Sequence, residues 1–337
     1  MRYKAKDIAK ELGVSPATVS LVLNNKPGVG EEKREEIMKK VIEMGCEYLL
    51  KEGNMKKGEV GFIIYKCGGT VMDEYPIFNY LSESITGTLG KNGYTMTMMY
   101  LDKKMPLSER YLALESTRCV GYIVYAVEMY PEDAEIFQKL KVPCVFLDNP
   151  FPTVGIDSVS VDNYLGVYRA FEYLYEMGHR EIGYIRSKFP IICFEERIQA
   201  YYDGIRRHNL RCDDDYIMDV GYLEENTKQD VEDYLKSKKK LPTAFLADND
   251  LLACRAVQVF KIKGLRIPED ISVMGFDNRP ICSFTEPKVS TIQLPGDQMG
   301  QMAVELLIKR MQHPNSRPVK YKISPEIVVN ESVARIL

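Results

Sequence analysis

The residues from Lys4 to Asn25 carry side chains whose types and spacing suit one task, holding DNA. Five basic side chains (Arg2, Lys4, Lys6, Lys10 and Lys26) face only Asp7 and Glu11 within the first 30 residues, a local charge of +3 on a chain whose net charge is −3. A local basic patch on an acidic chain fits a small DNA-binding head on a larger body that does not touch nucleic acid. Catalytic chemistry has no comparable support. No nucleophile is paired with a base, no His/Cys set has metal-ligand spacing, and neither GxGxxG nor GxxxxGK[ST] follows a strand pattern. The chain is read as a non-enzyme with no cofactor and no metal.

The elements that must position this basic segment are short helices. Ile8, Ala9 and Leu12 form one apolar face at helical spacing, and Val19, Val22 and Leu23 form another. Gly13 supplies the turn between them, Ser15 is a good N-cap, and Pro16 stands at the first helical position, where a missing N–H costs nothing. A third helix follows over 31–45, with Ile37, Val41 and Met44 on one face and Gly45 at its end. Residues 46–58 are largely polar and read as a linker with at most a turn or two of helix.

From Glu59 the pattern changes to strands alternating with helices, in two similar series. Apolar strands are predicted at 60–65, 95–101, 120–125 and 142–147, then at 182–185, 244–247 and 271–276. Strand–helix alternation of this length indicates parallel sheets covered on both faces. At 337 residues the chain suggests two or three compact units. No apolar run reaches the roughly 18–20 residues that span a bilayer, and the N-terminus lacks the pattern of a signal peptide. The eight cysteines are scattered without a C-x-x-C pair, which reads as reduced core thiols in a cytoplasmic protein. Asp162 and Asp250 are expected to cap helices, and His179 to be a structural hydrogen-bonding residue.

These segments resemble the lactose-repressor (LacI/GalR) family of bacterial transcription regulators along essentially the whole chain. The run Asp7-Ile8-Ala9-Lys10-Glu11-Leu12-Gly13-Val14-Ser15-Pro16-Ala17-Thr18-Val19-Ser20 is close to the family's head signature. Ile267-Pro268-Glu269-Asp270-Ile271-Ser272-Val273-Met274-Gly275-Phe276-Asp277 is almost diagnostic alone, and 161–166, 177–182 and 247–253 match as well. The resemblance implies an all-α three-helix helix-turn-helix head on an α/β two-lobed body like a periplasmic binding protein. Its implied divisions are a head at 1–46, a hinge at 47–58 and an effector-binding and dimerisation domain at 59–337. Within that domain the N-lobe takes 59–160 and 291–320, and the C-lobe 161–290 and 321–337.

The same resemblance implies a repressor acting as a homodimer on a near-palindromic operator, the arrangement two-fold symmetry demands. Pro16, Ala17 and Leu21 match positions that contact bases. Ser15, Thr18, Ser20 and Asn24 match positions that hold phosphates. Leu21 departs from the Arg that many members carry there: it offers apolar contact to a thymine methyl, or packs within the head. Met55 falls where members carry a hinge leucine that wedges into the minor groove. Gly53 and Glu52 make that hinge less ready to fold. Phe78, Asp148, Arg197, Tyr222, Asn249 and Asp277 align with the family's effector cleft. The bound molecule is expected to be a sugar, with its hydroxyls on the polar groups; Phe78 and Tyr222 suit the two apolar faces of a sugar ring or of a flat base, so some nucleosides fit as well. Arg197 and Asp277 could instead form a structural salt bridge. A protein corepressor in place of the small effector is the alternative within the family. No terminal heptad helix is present to hold a tetramer.

Overall fold

The computed structural model describes residues 3–24, 26–49, 57–68, 78–238 and 240–336. The head is three helices, α1 Ala5–Glu11, α2 Pro16–Leu23 and α3 Glu31–Glu43. Their apolar stripes meet in one small core of Ile8, Ala9, Val19, Val22, Leu23, Ile37 and Val41, closed by Cys46. Gly13 and Gly45 each adopt φ +62°, the left-handed conformation that ends a helix without a Cβ penalty. The linker contributes a single 3-10 turn at Glu47–Leu49, residues 50–56 of the predicted hinge, Met55 included, lie outside the described residues, and its last residue, Gly58, already opens the first strand.

The body begins with β1 Gly58–Lys66, α4 Phe78–Lys91, β2 Tyr94–Asp102, α5 Leu107–Glu115, β3 Cys119–Tyr125, α6 Glu135–Gln138, β4 Cys144–Leu147 and β5 Asp157–Val161. It continues with α7 Asn163–Glu176, β6 Ile182–Ser187, α8 Ile192–Arg207, β7 Ile217–Val220, α9 Glu224–Ser237, β8 Ala244–Ala247, α10 Asp250–Ile262, β9 Ser272–Met274 and α11 Ile281–Phe284. The last elements are β10 Thr291–Gln293, α12 Gly296–Gln312, β11 Lys320–Ile323 and β12 Glu326–Val328.

Two larger sheets, in the order β11-β5-β4-β3-β1-β2 and the order β7-β6-β8-β9, pair in parallel throughout, and β10 and β12 form a small antiparallel sheet besides. Strand β1 shows why both faces must be covered. Phe62 and Ile64 bury on one side and Ile63 and Tyr65 on the other, so alternate residues feed two separate apolar clusters. The predicted strand–helix alternation is thus observed, and the six described strands of the larger sheet form the first lobe.

The lobe boundaries near the C-terminus differ from those expected. Lys320–Ile323 pairs with β5 at the edge of the larger sheet, so the chain returns to the second lobe only after Ile323 and not at 321. Residues 290–293 bridge Met274 and Asp277 and pair with β12, so the first lobe resumes with α12 rather than at 291. Alternation in Lys320-Tyr321-Lys322-Ile323 announces a strand, but the choice of sheet is made by partners far away in sequence. Helix α12 packs on α4 so closely that a Cβ on Gly300 would come within 2.8 Å of Ser84. No helix among the described residues is long and apolar enough to cross a membrane. The eight cysteines are free thiols, six of them buried.

Candidate functional sites

In the head, the Ser15 hydroxyl accepts the Thr18 backbone N–H at 3.0 Å, the N-cap read from the sequence, and pairs with the Thr18 hydroxyl at 2.8 Å. Asn24 at the far end donates to the Ser20 carbonyl at 2.7 Å. Pro16, Ala17, Ser20 and Asn24 are exposed along α2, so one face of this helix presents small and polar groups. Leu21 is half-buried, with its methyl 3.6 Å from where a Cβ on Gly28 would stand, which places it against the turn after α2. The exposed ammonium groups of Lys4, Lys6, Lys10 and Lys26 surround this helix pair in sequence and supply the positive charge a phosphate backbone requires.

In the body, the predicted cleft residues cluster at the carboxyl ends of strands, the usual place for ligand groups in open α/β sheets. Arg197, on α8, donates through Nε to Asn163 Oδ1 at 2.9 Å and through Nη1 to the Asp248 carbonyl. Its Nη2 lies 3.5 Å from Asp277 Oδ1, and its guanidinium lies 3.7 Å from the centre of the Phe276 ring. Asp277 follows β9 with φ +113°, unusual for a non-glycine residue, and its second oxygen accepts from Arg279 Nε at 2.9 Å. Asp148 follows β4 from the opposite lobe, also at positive φ (+63°). Both aspartates thus hold positive φ at a strand end, one from each lobe.

Asp148 and Asp277 share a cavity of about 500 Å³, whose other walls include Leu81, Gln293, Asp297, Ser324 and Glu326. Burial pushes the Asp148 carboxyl up to about 7; Asp277 and Glu196 push the same way, while Arg197 and the Tyr125 hydroxyl oppose them. Asp248 is likewise pushed up to about 7 by burial, against hydrogen bonds from the Ser187 N–H and the Tyr184 hydroxyl.

The remaining predicted residues fall differently. Asn249 and Tyr222 are buried and meet each other, the amide donating to the phenol oxygen at 2.8 Å, and neither lines the cavity. Arg197 also stands behind the lining. Phe78 opens α4, and its side chain lies outside the described residues. Asn249, not Asp250, is the N-cap of α10, accepting the Leu252 N–H at 3.1 Å. Asp250 instead takes the Thr291 hydroxyl at 2.5 Å and the Arg279 N–H at 2.6 Å, pinning the segment that carries Asp277. Asp162 does cap α7, through the Leu165 N–H at 3.0 Å. His179 is structural, between the Thr243 hydroxyl and the Ala334 carbonyl.

Sequence reasoning missed Asn163 and Arg279, the side chains that orient Arg197 and Asp277. Arg279 was within reach as a basic residue two positions from a strand-end carboxylate; Asn163 gave no signal beyond its place beside the cap. Among the described residues, no group of three or more His, Cys, Asp or Glu is placed to hold a metal ion.

Residues 4–46 match the family described as bacterial regulatory proteins, lacI family, and residues 171–333 match a periplasmic binding protein-like domain. Together the two matches take in well over half of the chain. The HTH-type transcriptional repressor PurR of Aliivibrio salmonicida is 27% identical over 334 residues, covering 98% of this chain and 99% of that protein. The HTH-type transcriptional repressor CytR of Escherichia coli is 29% identical over 308 residues, covering 91% and 89%. Among solved structures, the transcriptional regulator CelR–cellobiose complex superposes with a TM-score of 0.74 at 21% identity, covering 98% of this chain and all of that one. At that identity the superposition speaks for the fold.

Proposed function

Because this chain belongs to the lacI family of bacterial regulatory proteins, we propose that it represses transcription from an operator under the control of a small molecule bound between its lobes. Its relatives are HTH-type transcriptional repressors, and repression through a helix-turn-helix head is this chain's activity too. The observation that carries the effector reading is the meeting of Asp148 and Asp277 from opposite lobes at one cavity, with Arg197 buried behind them. A ligand touching both lobes binds the closed arrangement better than the open one, and only such a difference can shift the equilibrium.

The effector is a polar ring compound, most simply a sugar. Paired hydroxyls satisfy carboxylates that otherwise face each other, and about 500 Å³ holds one or two rings. Cellobiose in the CelR complex supports a carbohydrate in this fold. The site set is Phe78, Asp148, Arg197, Tyr222, Asn249 and Asp277; Tyr222 and Asn249 reach the ligand by exchanging their mutual hydrogen bond for one to it. The polar cleft supports this small-molecule reading over control by a protein corepressor.

On DNA, two heads of a homodimer read the halves of a near-palindromic site in the cytoplasm. Pro16, Ala17 and Leu21 meet base edges, Ser15, Thr18, Ser20 and Asn24 meet phosphates, and Met55 wedges at the operator centre. Thermal melting of the full chain against a panel of monosaccharides, disaccharides and nucleosides tests the cleft. A compound that raises Tm in the parent but not in Asp277→Asn supports the reading. A stabiliser that acts equally on both variants places the ligand elsewhere.

A further inference from the structure

The lobes also touch between Tyr130 and the corner ahead of α8, where no chain segment crosses from one to the other. We propose that Tyr130 and the corner at 190–192 form a latch that holds the cleft shut without a ligand. Tyr130 follows β3 in the first lobe, and its hydroxyl donates to the carbonyl of Pro190, just ahead of α8 in the second lobe, at 3.2 Å.

The tyrosine is fixed from its own side. The Lys103 ammonium lies 4.8 Å from the centre of the Tyr130 ring and is anchored by Asp133 at 3.0 Å and Glu132 at 3.4 Å. The corner is fixed from both sides. Ile191 and Cys193 bury in the large apolar cluster that includes the second-lobe residues Ile185 and Phe245 and runs on into the first lobe, whereas Ile192 between them packs on the first-lobe cluster that contains Tyr65, Met129 and Phe146. The first turn of α8 is therefore plugged into both lobes at once.

On the crossing side the chain itself joins the lobes, and Lys322 pairs with Glu196 at 2.7 Å. Between Tyr130 and the 190–192 corner no chain crossing enforces contact, so what is found there is held by these side chains. Arg197 lies on the same helix, about one and a half turns past Ile192. Opening the latch therefore moves the helix that carries Arg197. The latch sets the closed fraction before any ligand arrives, and ligand entry has to release it. A hydrogen bond of ordinary net strength shifts such a two-state ratio by about 2- to 10-fold.

The inference stands on lobe contacts and not on what the cleft binds, so its test uses full chain refolded from denaturant to strip any carried small molecule. Amide hydrogen exchange is followed at 192–197 and 129–131 in the parent, Tyr130→Phe, Ile192→Ala and the double variant, with urea midpoints as a check on global stability. The latch predicts exchange about 2- to 10-fold faster in Tyr130→Phe at both corners, and faster still in the double variant, with the head and the sheet cores unchanged. Unchanged exchange in Tyr130→Phe, or a parent already exchanging as fast as the double variant, overturns it. Either contrary result leaves the effector reading standing.

Discussion

The Arg197 guanidinium and the Asp277 carboxylate stand 3.5 Å apart, each side chain only 5% exposed, and neither depends on the other alone. Arg197 is also held by Asn163 and the Asp248 carbonyl, and Asp277 by Arg279. Burying two charges is costly unless their remaining hydrogen-bonding groups are met, and here they are. Of the two readings of this pair from sequence, the salt bridge is present; Asp277 meets the cavity and Arg197 stands behind it.

Replacing Arg197 with Met leaves Asp277 with Arg279 but strands Asn163 and the Asp248 carbonyl. Removing one partner of a buried pair costs about 3–5 kcal/mol, and the surviving Arg279 contact places this case near the lower end. Urea unfolding followed by tyrosine fluorescence measures the loss, and Tm shifts by cleft ligands disappear in the same variant.

The Asp148 carboxyl, pushed up to about 7, makes stability depend on pH. The folded state holds this proton more tightly than the unfolded chain, whose carboxyl ionises near pH 4. Its stabilising contribution is therefore full below about pH 4 and is lost as pH rises toward and through 7. Asp148→Asn removes that dependence. The variant gains Tm over the parent at pH 8 and loses that advantage at pH 5, as read by scanning fluorimetry over that range.

Gly275 lies directly under Asp250: a Cβ there would stand 2.1 Å from Asp250 Oδ1. Gly275→Ala must push away the carboxylate that holds Thr291 and the Arg279 N–H. Overpacking of this kind costs about 1–3 kcal/mol, and the displaced hydrogen bonds bring the total to its upper end. Calorimetry of the full chain measures the cost, and weaker ligand response is expected because the segment bearing Asp277 loses its anchor.

How much of this was legible beforehand differs between the two ends of the chain. The head was readable because its signals are local: Ser15 and Pro16 fix a helix start, Gly13 fixes the turn, and Val19, Val22 and Leu23 fix the buried face. Sheets and helices of the body followed from alternation. The assignment of Lys320–Ile323 did not, because it depends on pairing with β5 some 160 positions earlier. Asp148, Arg197 and Asp277 were reached through resemblance, and two of them do meet the cavity. Asn249 and Tyr222 sit together behind it, since a polar residue at a helix start can serve as cap and ligand donor alike. Gln293, Asp297 and Glu326 gave no signal, as their wall is assembled by chain crossings that no sequence window contains.

Ser15→Ala and Leu21→Ala separate positioning from reading on DNA. Ser15→Ala removes the N-cap of α2, about 1 kcal/mol of head stability, and weakens binding evenly across operator sequences. Leu21→Ala changes which bases are preferred at one position while the salt dependence of binding stays the same. Selection from random DNA with each variant, followed by titration at two salt concentrations, distinguishes the two effects.

The central claim, that a small molecule in the cleft governs operator binding, is tested most directly by titrating a labelled operator obtained by such selection. The titration is run with and without each member of the sugar and nucleoside panel, in the parent and in Asp277→Asn. At least one compound is expected to change operator Kd by tenfold or more in the parent and by less than twofold in the variant. Operator affinity that ignores the whole panel and shifts instead on adding a phosphorylated protein partner would contradict the account.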